Sequence, residues 1–116
     1  MKYMLILNDP PYGTERSYNG LRLAMSLSKR EDAELRLFLM ADSVGCAKTA
    51  QKTPSGYYNI ERMIKGLILS KTPVGVCGSC IDARGFAESD LTEGVHRSSM
   101  DELTDWTIWA DKVIVF

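Results

Sequence analysis

The sequence lacks long apolar runs, an excess of either charge, and cysteine in quantity. No stretch approaches the roughly 20 apolar residues that a membrane-spanning helix needs, so no membrane association is expected. Lys and Arg total 14 against 15 Asp and Glu, a net charge of −1. That balance supplies no basic face for nucleic acid or anionic lipid. Only six residues separate Met1 from Asn8-Asp9, too few for the apolar centre of a secretory leader. Three cysteines are an odd number and do not form a secreted disulfide framework. The expectation is a cytoplasmic protein, and in a reducing compartment a Cys-x-x-Cys serves redox, sulfur or metal chemistry more often than structure. Internal repeats, linkers and low-complexity tracts are also missing, so residues 1–116 read as one domain.

What is present is alternation. Apolar residues make up 45% of the chain, enough to bury a core without staples. Residues 2–8 are a nearly continuous apolar run, the pattern of a strand covered on both faces. Asn8 to Gly13, with two prolines, breaks it. Thr14 and Ser17 start a helix expected over about 15–30, with Lys29-Arg30 in its last turn. A second strand follows over 33–40, then a long loop over about 42–56 with a short helix expected at Val44–Gln51. Asn59 caps a helix whose Ile60, Met63, Ile64, Leu67 and Ile68 form one apolar stripe, ending before Pro73. Val74–Cys77 is a third strand, followed by a helix to about Arg84 and a glycine cap at Gly85. The polar stretch 86–98 reads as a loop with at most a helical turn or a short edge element. Ser99 and Glu102 form a capping box for a helix to about Ala110, and residues 111–116 close the chain as a strand. Such alternation predicts an α/β fold with parallel strands and helices on both faces.

The stretch Val76-Cys77-Gly78-Ser79-Cys80 carries the chemistry. It places two thiols at a strand-to-helix junction. Unpaired N–H groups at a helix start carry partial positive charge, so the Cys77 thiol should ionise below its free value of about 8.5. Cys80, one turn on, is in reach for a disulfide or a shared metal. Ligands gather at the carboxyl ends of strands in open α/β sheets. The strands end at Asn8-Asp9, at Asp42-Ser43 with Cys46 just beyond, and at Cys77. Cys46 and Asp9 are therefore expected to share a surface with the thiol pair. Cys46 is equally well read as a small buried filler, and Asp9 as a turn former.

Other residues carry paired readings. Arg84 either stabilises an anionic sulfur or is a solvated last-turn cation; Asp82 flanks it. Cys46, Cys77, Cys80 and His96 number the four ligands that a structural zinc needs, but their spacing fits no known finger or ribbon, and no metal is expected. His96 becomes a base only if it lies near Cys77. Trp106 and Trp109 either both fill core or mark a self-association patch. Met25, Met40 and Met63 read as core. A thioredoxin fold is not indicated, because its Cys-x-x-Cys follows an early strand, and here it stands two-thirds along the chain.

At Val76 to Gly85 the chain resembles the DsrE/DsrF-like family, and the likeness extends through Asn8-Asp9, Asn19-Gly20-Leu21, Ala41-Asp42-Ser43-Val44 and Ala110-Asp111-Lys112. The resemblance implies a single three-layer α/β/α domain with a five-stranded, mainly parallel sheet, and a homo-oligomer between dimer and hexamer, trimer or hexamer favoured. It also implies sulfur carried as a persulfide, with Cys77 at the carrier position ahead of Arg84-Gly85. Sulfur-donor or acceptor proteins are then the partners, and no cofactor is implied. Cys80 departs from the plain carrier pattern, as in a subgroup with Cys-x-x-Cys in this turn. A neighbouring thiol can attack a persulfide, releasing sulfide and closing a disulfide. In the leading expectation Cys77 is the nucleophile, Cys80 the resolving thiol, the Gly78, Ser79 and Cys80 amides steady the anion, and Cys46 relays sulfur. A dithiol–disulfide redox or sensing module on the same pair is the second reading, and a non-catalytic, oligomeric small-ligand binder the third.

Overall fold

A computed structural model describes all residues 1–116. Five strands, β1 (Lys2–Leu7), β2 (Glu34–Leu39), β3 (Val74–Cys77), β4 (His96–Ser98) and β5 (Lys112–Val115), form one sheet in the order β4-β3-β2-β1-β5. Every pairing is parallel. The helices are α1 (Arg16–Leu27), α2 (Ile60–Leu69), α3 (Gly78–Ala83) and α4 (Met100–Trp109), with 3-10 turns at Ala41–Ala47 and Glu88–Asp90. The expected α/β architecture is thus the observed one, and the sheet is wholly parallel.

Period-two alternation sorts the strands onto two faces. Leu5 pairs with Leu37 and Leu37 with Val74, so these side chains share one face. They pack with Leu7, Leu39 and Val76 against Leu21 and Ala24 of α1 and Ile60, Ile64 and Leu67 of α2. The opposite face carries Met4 and Phe38 beneath Leu103 and Trp106 of α4. Trp106 meets Phe38 edge-on, centroids 6.2 Å apart. Trp109 is only half-buried and lies under the Arg36 guanidinium at 3.9 Å. So one tryptophan fills core and the other stands at its rim. Met25, Met40 and Met63 likewise sit partly buried at the core margins.

Several boundaries moved for local reasons. α1 stops at Leu27 because Ser28 Oγ donates to the Met25 carbonyl at 2.8 Å and the next amides reach back only three residues. The turn expected at 44–51 begins instead at Ala41, since Ser43 Oγ lies 2.7 Å from the Leu7 carbonyl oxygen and accepts from the Met40 N–H at 2.9 Å. Ser99 Oγ accepts from the Glu102 N–H at 3.3 Å. The Glu102 carboxylate turns to Ser98 and His96, not back to Ser99, so α4 has a single cap and not the expected box. Asn59 caps α2 as expected, its Oδ1 accepting from Arg62 N–H at 3.1 Å. Gly85 ends α3 with φ +69°, and the 86–98 stretch holds both a 3-10 turn and the short edge strand β4.

Two helical glycines do different work. A Cβ at Gly20 would lie 2.5 Å from Leu7 Cδ2 and 3.1 Å from the Phe116 ring, so bare backbone lets α1 settle on β1. A Cβ at Gly66 would meet only Met25 Cε, at 3.8 Å. Gly20→Val should destabilise by about 1–3 kcal/mol through overpacking. Gly66→Ala should stabilise by up to about 1 kcal/mol through helix propensity. Urea denaturation of both variants checks the opposite signs.

Candidate functional site

β3 runs buried to Cys77, where the backbone turns into α3. Cys77 is the residue before the first helical position, with φ −55° and ψ 118°. Its sulfur is half-buried and lies 3.3 Å from Ser79 Oγ. Burial works against its anion. The nearby Cys80 thiol and the Ser79 hydroxyl, with the Cys80 and Ser79 amides, outweigh that and hold the Cys77 thiol below its ordinary range. The amides act on the sulfur without closing a capping hydrogen bond.

Cys80 is the opposite case. Burial, and then the neighbouring Cys77 sulfur, push its thiol up. Its Sγ accepts the Ala41 N–H at 3.2 Å. Ala41 has φ +52°, a left-handed conformation that costs an alanine free energy, so the backbone after β2 is bent toward this sulfur. The Ala41 amide, like Arg84, favours the Cys80 anion, but burial and the neighbouring Cys77 sulfur outweigh both, so Cys77 is the more readily ionised thiol and Cys80 the less.

Of the residues expected around the pair, Ser79 and Gly78 line the same cleft as Cys77. Gly78 acts through the space it leaves rather than through its amide: a Cβ there would lie 2.7 Å from Arg97 Nε. Arg84 is directed elsewhere. Its Nη2 and Nε donate to Asp42 Oδ1 at 2.8 and 3.1 Å, and its Nη1 donates to the Cys80 carbonyl at 3.2 Å. It bears on Cys80, favouring that thiolate, and not on Cys77. Asp9 organises the start of α1: its carboxylate accepts from Thr14 Oγ1 at 2.9 Å and its carbonyl from Ser17 Oγ at 2.7 Å.

Cys46 lies in the interior with no exposed surface. Burial pushes its thiol up to about 12, against small opposing contributions from Ser17 and its own amide. This is a packing position, closed to solvent and un-ionised at neutral pH. No three His, Cys, Asp or Glu side chains converge as a metal-binding group, so Cys46 and His96 do not join the thiol pair. His96 instead bonds the Glu102 carboxylate beside Trp106.

The cation beside Cys77 is Arg97, which sequence reading missed. β4 pairs Ser98 with Cys77 and Arg97 with Val76. The Arg97 guanidinium donates to both oxygens of Asp82 on α3, at 2.9 and 2.7 Å. Beside Cys77 lies a cleft of about 340 Å³ bounded by Cys77, Gly78 and Ser79 on one side and Arg97, Ser98 and Met100 on the other. Three residues in a polar stretch are too few for a periodic signal; only the pairing with β3 reveals them.

The sequence model of the DsrE/DsrF-like family matches residues 1–116, the whole chain. The chain belongs to the DsrE/DsrF-like family. Protein YchN of Escherichia coli K12 is 41% identical over 116 residues, covering 99% of this chain and 98% of that protein. MJ0989 of Methanocaldococcus jannaschii is 37% identical over 116 residues, with both chains fully covered. The crystal structure of the E. coli ychN protein superposes with a TM-score of 0.92 over 99% of this chain and 98% of that one. MTH1491 of Methanobacterium thermoautotrophicum shares the fold at 14% identity, with a TM-score of 0.76 over 99% of this chain and 97% of that one. The sheet of this DsrE/DsrF-like chain therefore has the family's architecture, with its thiols at the carboxyl end of β3.

Alkylation should separate the three cysteines. A thiol reacts as its anion, so the rate at Cys77 should rise with pH and level off below the ordinary thiol value of about 8.5. Cys80 should respond only at higher pH, and Cys46 should stay unmodified until the chain unfolds. Peptide mapping after pulses of iodoacetamide checks the order; Cys80 or Cys46 reacting first would contradict it.

Proposed function

We propose that this chain carries sulfane sulfur as a persulfide on Cys77, with Cys80 as the resolving thiol. Membership in the DsrE/DsrF-like family supports a sulfur-relay role at the level of the family. The observation that carries the finer reading is the inequality of the pair: Cys77 borders a cleft and is favoured as thiolate, while the nearby Cys80 is favoured as thiol.

The chemistry balances in two steps. The Cys77 thiolate attacks the outer sulfur of a donor persulfide; the donor S–S bond breaks as the new one forms, and the donor leaves as a thiolate. Cys80, on losing its proton, then attacks the Cys77 sulfur. The persulfide bond breaks, the outer sulfur leaves as hydrosulfide, and a Cys77–Cys80 disulfide closes. The dithiol is oxidised by two electrons and the sulfane sulfur is reduced. Two equivalents of an external thiol restore the pair, which fits a reducing cytoplasm. If the acceptor's own thiolate attacks the outer sulfur first, sulfur passes on and no disulfide forms. The placement of both thiols in one turn at the start of α3 also favours a second reading, a plain dithiol–disulfide couple without sulfane sulfur.

Incubation with a low-molecular-weight persulfide followed by intact-mass measurement tests this. The expected result is a gain of one sulfur atom, lost in Cys77→Ser and kept in Cys46→Ser. In Cys80→Ser the adduct should persist and sulfide release should stop. Reversible loss of two hydrogens without any sulfur gain would favour the redox couple, and thiols inert to both would leave a ligand-binding role.

The expected homo-oligomer remains a proposal, in a trimer or hexamer. What supports it is the apolar surface that α4 leaves open: Ile108 is 80% exposed, and Val113 and Val115 on the edge strand β5 are 40% and 60% exposed. Light scattering after size exclusion should return a multiple of the chain mass, and Val115→Lys should lower it. A monomeric mass for the parent chain would overturn the proposal.

A further inference from the structure

The cleft beside Cys77 has one cation, and it is held in an unusual way. Arg97 sits on β4 and Asp82 on α3, so their ion pair spans the two elements that flank the thiol. Asp82 takes two of the five guanidinium N–H groups. The Nε edge lies against Gly78, closer than any other side chain in that position would allow. Both partners are open to water, with side chains 42% and 63% exposed, and exposed pairs of this kind hold weakly. Part of the guanidinium is thus free to serve a second anion. A volume of about 340 Å³ suits a small molecule, at the lower end of ligand pockets of about 300–1,000 Å³.

A negatively charged donor meets a difficulty at Cys77, because the nucleophile is itself an anion. Like charges a few ångströms apart repel unless a cation lies beside both. Arg97 is placed to do this; it already feels the Cys77 charge, after the stronger pull of Asp82. We propose that Arg97 is the specificity-determining residue of the Cys77 cleft, receiving the negative group of a small sulfane-sulfur donor that carries a carboxylate or sulfonate near its transferable sulfur. The donor's outer sulfur is then presented to the Cys77 thiolate, and the anionic thiol remnant leaves past the same guanidinium. Asp82 moderates the site by competing for Arg97, and Glu88 adds to that negative field. The inference rests on the proposed acceptance of sulfane sulfur by Cys77.

The test compares two alkylating probes of similar size on the full chain, anionic iodoacetate and neutral iodoacetamide, with Cys77 modification read by peptide mapping. The readout is the ratio of the two rates, at a pH where Cys77 is fully ionised. A changed thiolate fraction affects both reagents alike and cancels. Arg97→Gln should lower the iodoacetate-to-iodoacetamide ratio about two- to fivefold, the range of one exposed charge. Arg97→Lys should restore part of it. Asp82→Asn should raise it. Gly78→Ala keeps every charge but displaces the guanidinium, and should lower the ratio as Arg97→Gln does. In the parent chain, added salt should shrink the preference. An unchanged ratio in Arg97→Gln and Gly78→Ala, with Cys77 still reactive, overturns the inference. Failure to gain sulfur from a persulfide would overturn the carrier reading and the donor named here, while the ratio would still report separately whether Arg97 selects anionic reagents at Cys77.

Discussion

Parallel alignment of all five strands is the constraint from which the site follows. Each strand delivers its carboxyl end to the same edge of the sheet, and each crossover must return across a face to begin again. That edge therefore collects the start of α1 after β1, the 3-10 turn after β2 and α3 after β3. The site lies at the end of β3, toward the β4 border of the sheet, where a strand of three residues is the neighbour. Being short, β4 leaves room beside Cys77 for a cleft that a longer strand and its loop would fill.

Two cysteines three residues apart have acquired different characters there, and the difference arises largely within the Cys-x-x-Cys turn: the Cys80 thiol and the Ser79 hydroxyl favour the Cys77 anion, while burial and the neighbouring Cys77 sulfur disfavour that of Cys80. Cys80 is fixed by the Ala41 amide, which comes from the turn after β2, and Arg84 near it is occupied by Asp42 from the same turn. Cys77 borders the cleft toward β4, with Ser79 Oγ 3.3 Å from its sulfur. The left-handed backbone at Ala41 is the one place where local conformational preference yields to the site. Gly78 between the thiols removes a side chain so that a guanidinium from β4 can close over the turn.

The unequal covering of the two sheet faces follows from connectivity. α1 and α2 belong to crossovers between neighbouring strands and both lie on the face of Leu5, Leu37 and Val74. α4 alone serves the other face, because β4 and β5 stand at opposite borders of the sheet and one helix spans the distance between them. Arg36 stacked on Trp109 shields part of the remainder. Val113 and Val115 on the border strand stay open.

What the sequence by itself determined is the local and periodic part. Apolar runs marked β1, β2 and β3, the stripe from Ile60 to Ile68 marked α2, Asn59 and Gly85 marked helix ends, and Cys77-Gly78-Ser79-Cys80 marked two thiols at a strand-to-helix turn, because each depends on neighbours within a few residues. Tertiary structure decided the rest. Whether Cys46 would face Cys77 or the core depended on how the turn at Ala41–Ala47 folds inward, which Ser43 settles through a contact with Leu7, 36 residues away in sequence. Which arginine would stand by Cys77 depended on β4 pairing with β3, and a three-residue polar strand carries no periodicity to announce it. Arg84 is close in sequence and held by Asp42, while Arg97 is far in sequence and placed by a ladder of backbone hydrogen bonds. Spacing along the chain can show that a thiol stands at a helix start, but the charge it meets there is set by long-range pairing.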